Sequence, residues 1–192
     1  GAFRSGYRTS DAFAAMLHVN EALNAAGLSA VFVGVDFKRA FDTLSRQQLQ
    51  VMIKLMGVHP RFGEMLGEMY ANTGMREVTG SPLGELIDVS LGTLQGDVIS
   101  PILWNIYLDG IWRAWRLEDE DGVVSSTRGI AMQAQLPNQR IFQWEIREGF
   151  FADDCYFLGW TPEEAIALAD SFARAAAHYG GLESSLGKKG KT

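Results

Sequence analysis

Two adjacent carboxylates lie inside an otherwise apolar run, Phe150-Phe151-Ala152-Asp153-Asp154-Cys155-Tyr156-Phe157-Leu158. The flanks read as two short strands, about Phe142–Phe151 and Cys155–Leu158, joined by a tight turn. Adjacent like charges destabilise one another, and apolar strands on both sides add a desolvation cost. A divalent cation removes that conflict, because hard ions such as Mg2+ take carboxylate oxygens together with substrate phosphates. Taken alone, the residues also fit a solvated Asp-Asp turn, since aspartate is common in turns.

A third carboxylate stands at the end of another apolar run. Ala30 to Phe37 (AVFVGVDF) has the composition of a buried strand, and Asp36 lies where it ends. A lone aspartate there is usually a turn former or a helix cap. A strand-end carboxylate and a hairpin-turn pair can also meet at one edge of a sheet. Two metal ions about 3.5–4 Å apart need such a cluster, and polymerases use one for in-line phosphoryl displacement.

The rest of the chain supplies helices. One is expected from Asp11 to Ala26, with Ser10 as N-cap, Gly27 past its end, and Phe13, Met16, Leu17 and Leu23 on its buried side. Ser45 and Gln48 form a capping box for a helix to about Met56, stopped by Gly57. Its apolar positions Leu49, Met52, Ile53 and Met56 follow the helical period. Pro60 opens another, with Phe62, Met65, Leu66, Met69 and Tyr70 on one face. Arg76 to Val89 reads as a hairpin around Gly80–Gly84, and the loop LGTLQGD follows it. Pro101 starts a helix carrying Ile102, Leu103, Ile106, Tyr107, Ile111 and Trp115. Leu117 to Asn138 reads as polar, irregular and surface-exposed. Thr161, Pro162 and Glu164 begin the last helix, whose inner stripe is Ala165, Leu168, Ala169, Phe172, Ala173 and Ala176, with Gly180 and Gly181 ending it. Helices and short strands mixed without regular alternation predict an α+β fold, an antiparallel sheet with helices packed on one face.

Composition narrows the function. With 192 residues, 47% of them hydrophobic, the chain can form one compact domain with a real core. A net charge of -6 argues against a simple nucleic-acid-binding module held by basic charge, although Lys188, Lys189 and Lys191 cluster near the end. A single cysteine, Cys155, excludes an internal disulfide framework and a multi-cysteine zinc site. His18, His59 and His178 have no ligand-like spacing. No apolar run approaches the ~18 residues of a membrane span, so no membrane role is expected. No signal peptide is visible, and a chain beginning at Gly1 rather than Met suggests an internal fragment.

Four blocks in order give a specific resemblance. FRSGYRTSDA, VDFKRAFD, LGTLQGDVISPILWNIYLD and FFADD together resemble the reverse transcriptase family, nearest to the type found in retrotransposons without long terminal repeats. GGLESSLGKKGKT is a weaker match to the next block, which usually carries a lysine. The resemblance implies a polymerase palm with part of the fingers: residues 1–29 near the fingers and 30–192 mostly palm. Within the latter, 57–90 is assigned to the fingers, and the thumb and complete fingers lie outside this chain. On that ground the isolated chain is expected to be poorly active or inactive. The resemblance assigns Asp36, Asp153 and Asp154 as catalytic metal ligands for two Mg2+ or Mn2+ ions. Phe41, five residues after Asp36, matches the aromatic steric gate that selects deoxynucleotides. Phe37, Gln95, Gly96 and Lys188 fall at nucleotide-contacting positions, and Arg4, Arg8, Ser100 and Pro101 at template-contacting ones. The implied partners are an RNA or DNA template with its primer and a dNTP, in the nucleus or cytoplasm.

The plainer readings are core packing for Phe41, a helix start for Ser100 and Pro101, and a solvated basic tail for Lys188. Two other functions share the blocks: an inactive palm kept as a nucleic-acid-binding or scaffold protein, and a group II intron maturase. A cyclase on a related palm lacks its Gly-Gly-acidic hairpin here.

Overall fold

The computed structural model describes residues 6, 8–71, 73–75, 87–94, 96–135 and 141–185. The elements run α1 (Thr9–Ala25), β1 (Val31–Val35), α2 (Ala40–Thr43), α3 (Arg46–Leu55), α4 (Pro60–Ala71), β2 (Gly74–Met75) and β3 (Ile87–Asp88). They continue with α5 (Ser100–Glu118), α6 (Val123–Ser126), β4 (Ile130–Gln135), β5 (Ile141–Ile146), β6 (Glu148–Phe151), β7 (Asp154–Gly159) and α7 (Pro162–Gly180).

The central sheet has the order β1-β7-β6, antiparallel throughout. Side chains alternate across it, as strand geometry requires. Val35, Cys155, Phe157 and Phe150 point into the main core, whereas Phe32, Tyr156 and Leu158 point the other way. Helix α7 lies along β1 and β7, α5 packs on α7, and α3 on α5. This is the expected α+β architecture, with helices backing one face. Burial follows the helical period: Leu103, Trp104, Tyr107, Ile111 and Trp115 on α5, and Ala165, Leu168, Ala169, Phe172 and Ala176 on α7, are all buried. Small residues on α7 let it lie close to the sheet. Its start is the predicted capping box, Thr161 Oγ1 accepting from the Glu164 amide and the Glu164 carboxylate accepting from the Thr161 amide. Gly181, at φ 61°, is its left-handed C-cap.

Four expectations need correction. Segment 117–135 is not an irregular surface stretch: it forms α6 and β4 and buries Val124, Thr127, Ile130 and Met132. Residues 136–138 of that stretch lie outside the described residues. Strand β4 pairs with β5 in full register, from Ile130↔Ile146 to Gln135↔Ile141. With α1 it covers one end of the sheet's second face through Val19, Leu23, Ile130, Met132 and Leu158. Second, α1 begins at Thr9, so Ser10 lies inside it. Arg8 is its N-cap, and its amide donates to the Asp11 carboxylate at 2.6 Å. Third, Phe13 and Leu17 are 68% and 46% exposed; Val19 and Leu23 form the buried side. Met65 and Met69 of α4 are likewise exposed, while Leu66 and Tyr70 are buried. Fourth, the single strand expected over 142–151 is two, β5 and β6. They belong to different sheets and part at Arg147, whose carbonyl accepts from the Leu158 amide. The expected hairpin after α4 appears as the short β2–β3 ladder, and its loop lies outside the described residues.

Candidate active site

The β1–β7 register pairs Val35 with Cys155. Continued by one residue, it sets Asp36 opposite Asp154 and so on the same face of the sheet. In β6–β7, Phe151 pairs with Asp154, leaving Ala152 and Asp153 as the two residues of the turn. The strand-end carboxylate and the hairpin pair therefore meet at one edge. Asp36 and Asp154 are exposed and Asp153 is half-buried. Beneath them the buried Cys155 thiol reports their shared field. Burial pushes its pKa up, and the charges of Asp154, Asp153 and Asp36 push it further. Among the described residues, no three His, Cys, Asp or Glu side chains close round a common point as a ready-made metal cluster. What the backbone brings to one sheet edge is the positions of Asp36, Asp153 and Asp154.

The edge is fixed from both sides. The Asp36 carbonyl accepts from the Ser185 amide at 2.8 Å, the Lys38 amide donates to the Glu183 carbonyl at 2.9 Å, and Phe37 bridges to Ser184. Lys38 and Glu183 also form an ion pair. The segment after α7 thus clamps the strand end that carries Asp36. On the hairpin side, Ala152 has φ 54°, a left-handed conformation unusual for a residue with a Cβ. Its carbonyl accepts from the Trp104 indole N–H at 2.8 Å.

The remaining candidates fall into three groups. Phe41 is half-buried, its ring 5.1 Å from that of Trp104 and tilted by 36°. Gly96, at φ 88°, is exposed, with open space where a Cβ would be. Pro101 sits in the first turn of α5, beside the exposed Val98 and Ile102. Two other side chains do not reach the surface. The Phe37 ring is 3% exposed and packs against Trp104 and Phe172, so its backbone is what lies at the edge. Ser100 is also buried, and its hydroxyl donates to the Leu94 carbonyl at 2.8 Å, which holds the loop onto the start of α5. Arg8 is exposed at the α1 N-cap. Arg4, Gln95 and Lys188 lie outside the described residues.

Two residues that the sequence reading missed shape this region. Trp104 is one; a buried tryptophan needs a partner for its N–H, and that need was the available signal. Arg46 is the other. Its guanidinium donates to the carbonyls of Gly92 at 2.8 Å, Val89 at 2.6 Å and Tyr70 at 3.2 Å, and to Thr73 Oγ1 at 2.7 Å. The loop it pins is pressed against the chain after β1: the Gly92 amide donates to the Leu44 carbonyl and the Thr93 amide to that of Phe41. At Gly92, with φ 75°, a Cβ would lie 2.6 Å from the Asp42 carbonyl oxygen, so glycine is required there.

A helix-backed antiparallel sheet with acidic side chains from a strand end and a neighbouring hairpin at one edge is a polymerase palm. Residues 2–188 match the family model "Reverse transcriptase (RNA-dependent DNA polymerase)", and the chain belongs to that family. Among curated proteins, it is 30% identical over 95 residues to the retrovirus-related Pol polyprotein from type-1 retrotransposable element R2 of Popillia japonica. That alignment covers 50% of this chain and 15% of the relative, so the chain spans a small part of the protein it matches. Among the described residues, no helix is long and apolar enough to cross a membrane.

Proposed function

We propose that this chain is the palm of an RNA-directed DNA polymerase from a retrotransposon without long terminal repeats. The observation that carries the reading is the β1–β7 register, which brings Asp36 and Asp154 opposite one another with Asp153 in the adjoining turn. Family membership and the likeness to a retrotransposon Pol polyprotein support it.

In this reading Asp36, Asp153 and Asp154 hold divalent cations, Mg2+ or Mn2+. Bound there, the ions supply Lewis acidity for displacement at the α-phosphate of a dNTP by a primer 3′-hydroxyl. The protein's contribution is placement. The clamp from Glu183–Ser185 holds Asp36, and the tight turn holds Asp153 and Asp154. In this reading the Phe41 ring, which packs on Trp104, is the gate against a ribose 2′-hydroxyl. Gly96 leaves room for a nucleotide or template backbone to approach closely. In the same reading Gln95 and Lys188 are assigned to the nucleotide, and Arg4, Arg8 and Pro101 to the template. Residues 57–90 belong with the fingers.

The test is primer extension on an RNA template by the full-length protein carrying this chain, with dNTPs and Mg2+ or Mn2+. The wild type should incorporate nucleotides only with a divalent ion present. Asp153→Asn should lower turnover by on the order of a hundredfold to a thousandfold, with thermal stability unchanged. Normal turnover in that variant would remove Asp153 from the chemistry; a wild type that extends no primer with either ion would remove the polymerase reading.

A further inference from the structure

Trp104 lies at the junction of three things the proposed chemistry needs. It is fully buried on α5. Its indole N–H donates to the Ala152 carbonyl at 2.8 Å, at the first residue of the turn that carries Asp153. Its ring is 5.1 Å from Phe41 and 6.5 Å from Phe37, both of which follow Asp36 in the chain. One rigid side chain therefore touches the hairpin turn bearing two carboxylates and the segment bearing the third. The carbonyl it engages belongs to a residue with φ 54°, a conformation that costs energy and needs an outside partner to persist.

We propose that Trp104 is a positioning residue that sets the hairpin carboxylates relative to Asp36 and to the Phe41 ring. The idea rests on the polymerase reading above. It goes beyond that reading by assigning the geometry of the site to a side chain that meets neither substrate nor ion. The indole has two separable functions. Its N–H fixes the turn, and so governs how tightly the carboxylates bind cations. Its ring backs Phe41, and so governs discrimination between deoxynucleotides and ribonucleotides. Phenylalanine at this position keeps a ring and loses the donor; leucine loses both.

The molecule contains its own control. Trp115, eleven residues further along the same helix, is also buried and donates its indole N–H to Ser171 Oγ at 2.9 Å, far from the turn. Trp104→Phe and Trp115→Phe each delete the hydrogen bond of one buried indole on α5, so a merely structural role would make both act on stability alone.

The experiment uses the full-length protein. It measures Mn2+ affinity by water-proton relaxation, steady-state kcat and KM for a dNTP, dNTP-over-rNTP preference, and hydrogen exchange of the peptide containing Phe151–Cys155. Trp104→Phe should weaken Mn2+ binding about tenfold and lower kcat at least as much, because the part-buried Ala152 carbonyl, in its left-handed turn, is left without its donor. KM and sugar discrimination should stay within about twofold, and exchange in the turn peptide should speed. Trp104→Leu should in addition lose discrimination. Trp115→Phe should lower thermal stability while leaving Mn2+ affinity, kcat and turn exchange at wild-type values. If Trp104→Phe matches Trp115→Phe in all four measurements, the positioning role is overturned. A wild type that neither binds Mn2+ nor extends primers defeats the polymerase reading instead. The exchange comparison then still decides whether Trp104 holds the turn, supporting that claim if only Trp104→Phe loosens it and rejecting it otherwise.

Discussion

Phe157 and Leu158 are neighbours on β7, both essentially inaccessible to water, and they face opposite sides of the sheet. Phe157 enters a core of aromatics packed edge-on and tilted: its ring centroid is 5.2 Å from Phe172, 5.8 Å from Trp115 and 6.1 Å from Phe150. Leu158 enters a small cluster formed by Val19 and Leu23 of α1 and by Ile130 and Met132 of β4. The first side is a thick layer of helices. The second is covered at one end, and at the other, among the described residues, Asp36 and Asp154 are exposed. The fold concentrates its buried aromatic core on one face, and the proposed site lies on the other.

The contrast also explains which parts of the fold were legible in the sequence. Helices α5 and α7 announce themselves by period, capping residues and length, and each buries most of the expected stripe; Ile102 of α5 is 50% exposed, and Ile106 and Ala173 are half-buried. The covering layer on the second face did not. Its α1 exposes Phe13 and Leu17, so apolar residues alone misplace the buried side. Strand β4, Ile-Ala-Met-Gln-Ala-Gln, was hidden in a stretch whose polar residues suggested a loop. Alternation was its signal: Ile130 and Met132 are buried while Ala131 and Gln133 are exposed, a period of two that a loop does not need. At the candidate site, the convergence of Asp36 with Asp153 and Asp154 followed from strand-end and turn positions. The partners Trp104 and Arg46 did not, because a hydrogen bond between residues 48 positions apart depends on how α5 crosses the hairpin.

The largest expected effect breaks the comparison at its stronger side. Phe157→Ala leaves a cavity between Phe150, Trp115 and Phe172 and should cost about 3–5 kcal/mol, enough to unfold much of a marginally stable domain. Denaturant titration would measure this as a fall in midpoint. A loss below about 1 kcal/mol would mean that the helical face does not dominate stability.

The next effect sharpens the comparison. Leu158→Ala should cost about 2–3 kcal/mol, the low end for such truncations, because its cluster is small and its half-buried rim can relax inward. The loss should also be local. Hydrogen exchange in Thr9–Ala25 and Ile130–Gln135 should quicken before exchange in α7 changes, since those elements cover the second face. Exchange that quickens equally in α7 would show that the two faces unfold as one unit, and would remove the distinction between them.

The smallest effect concerns the proposed site. At φ 54° Ala152 is held where its Cβ crowds the backbone, at a cost of roughly 1–2 kcal/mol. Glycine removes that crowding but enlarges the entropy of the unfolded chain, which takes back about 0.4–1 kcal/mol. Ala152→Gly should therefore stabilise the chain by up to about 1.5 kcal/mol, a rise of at most roughly 3–6 °C in a domain of this size. The two other variants lower stability at covered positions; this one should raise it at the edge where the proposed chemistry needs rigidity. The same substitution should make the turn easier to distort, so any gain in melting temperature should come with weaker Mn2+ binding. A higher melting temperature with unchanged Mn2+ affinity would mean that the hydrogen bond from Trp104 holds the turn whichever residue occupies it. A lower melting temperature would show that the methyl group of Ala152 stabilises the turn by more than its left-handed conformation costs.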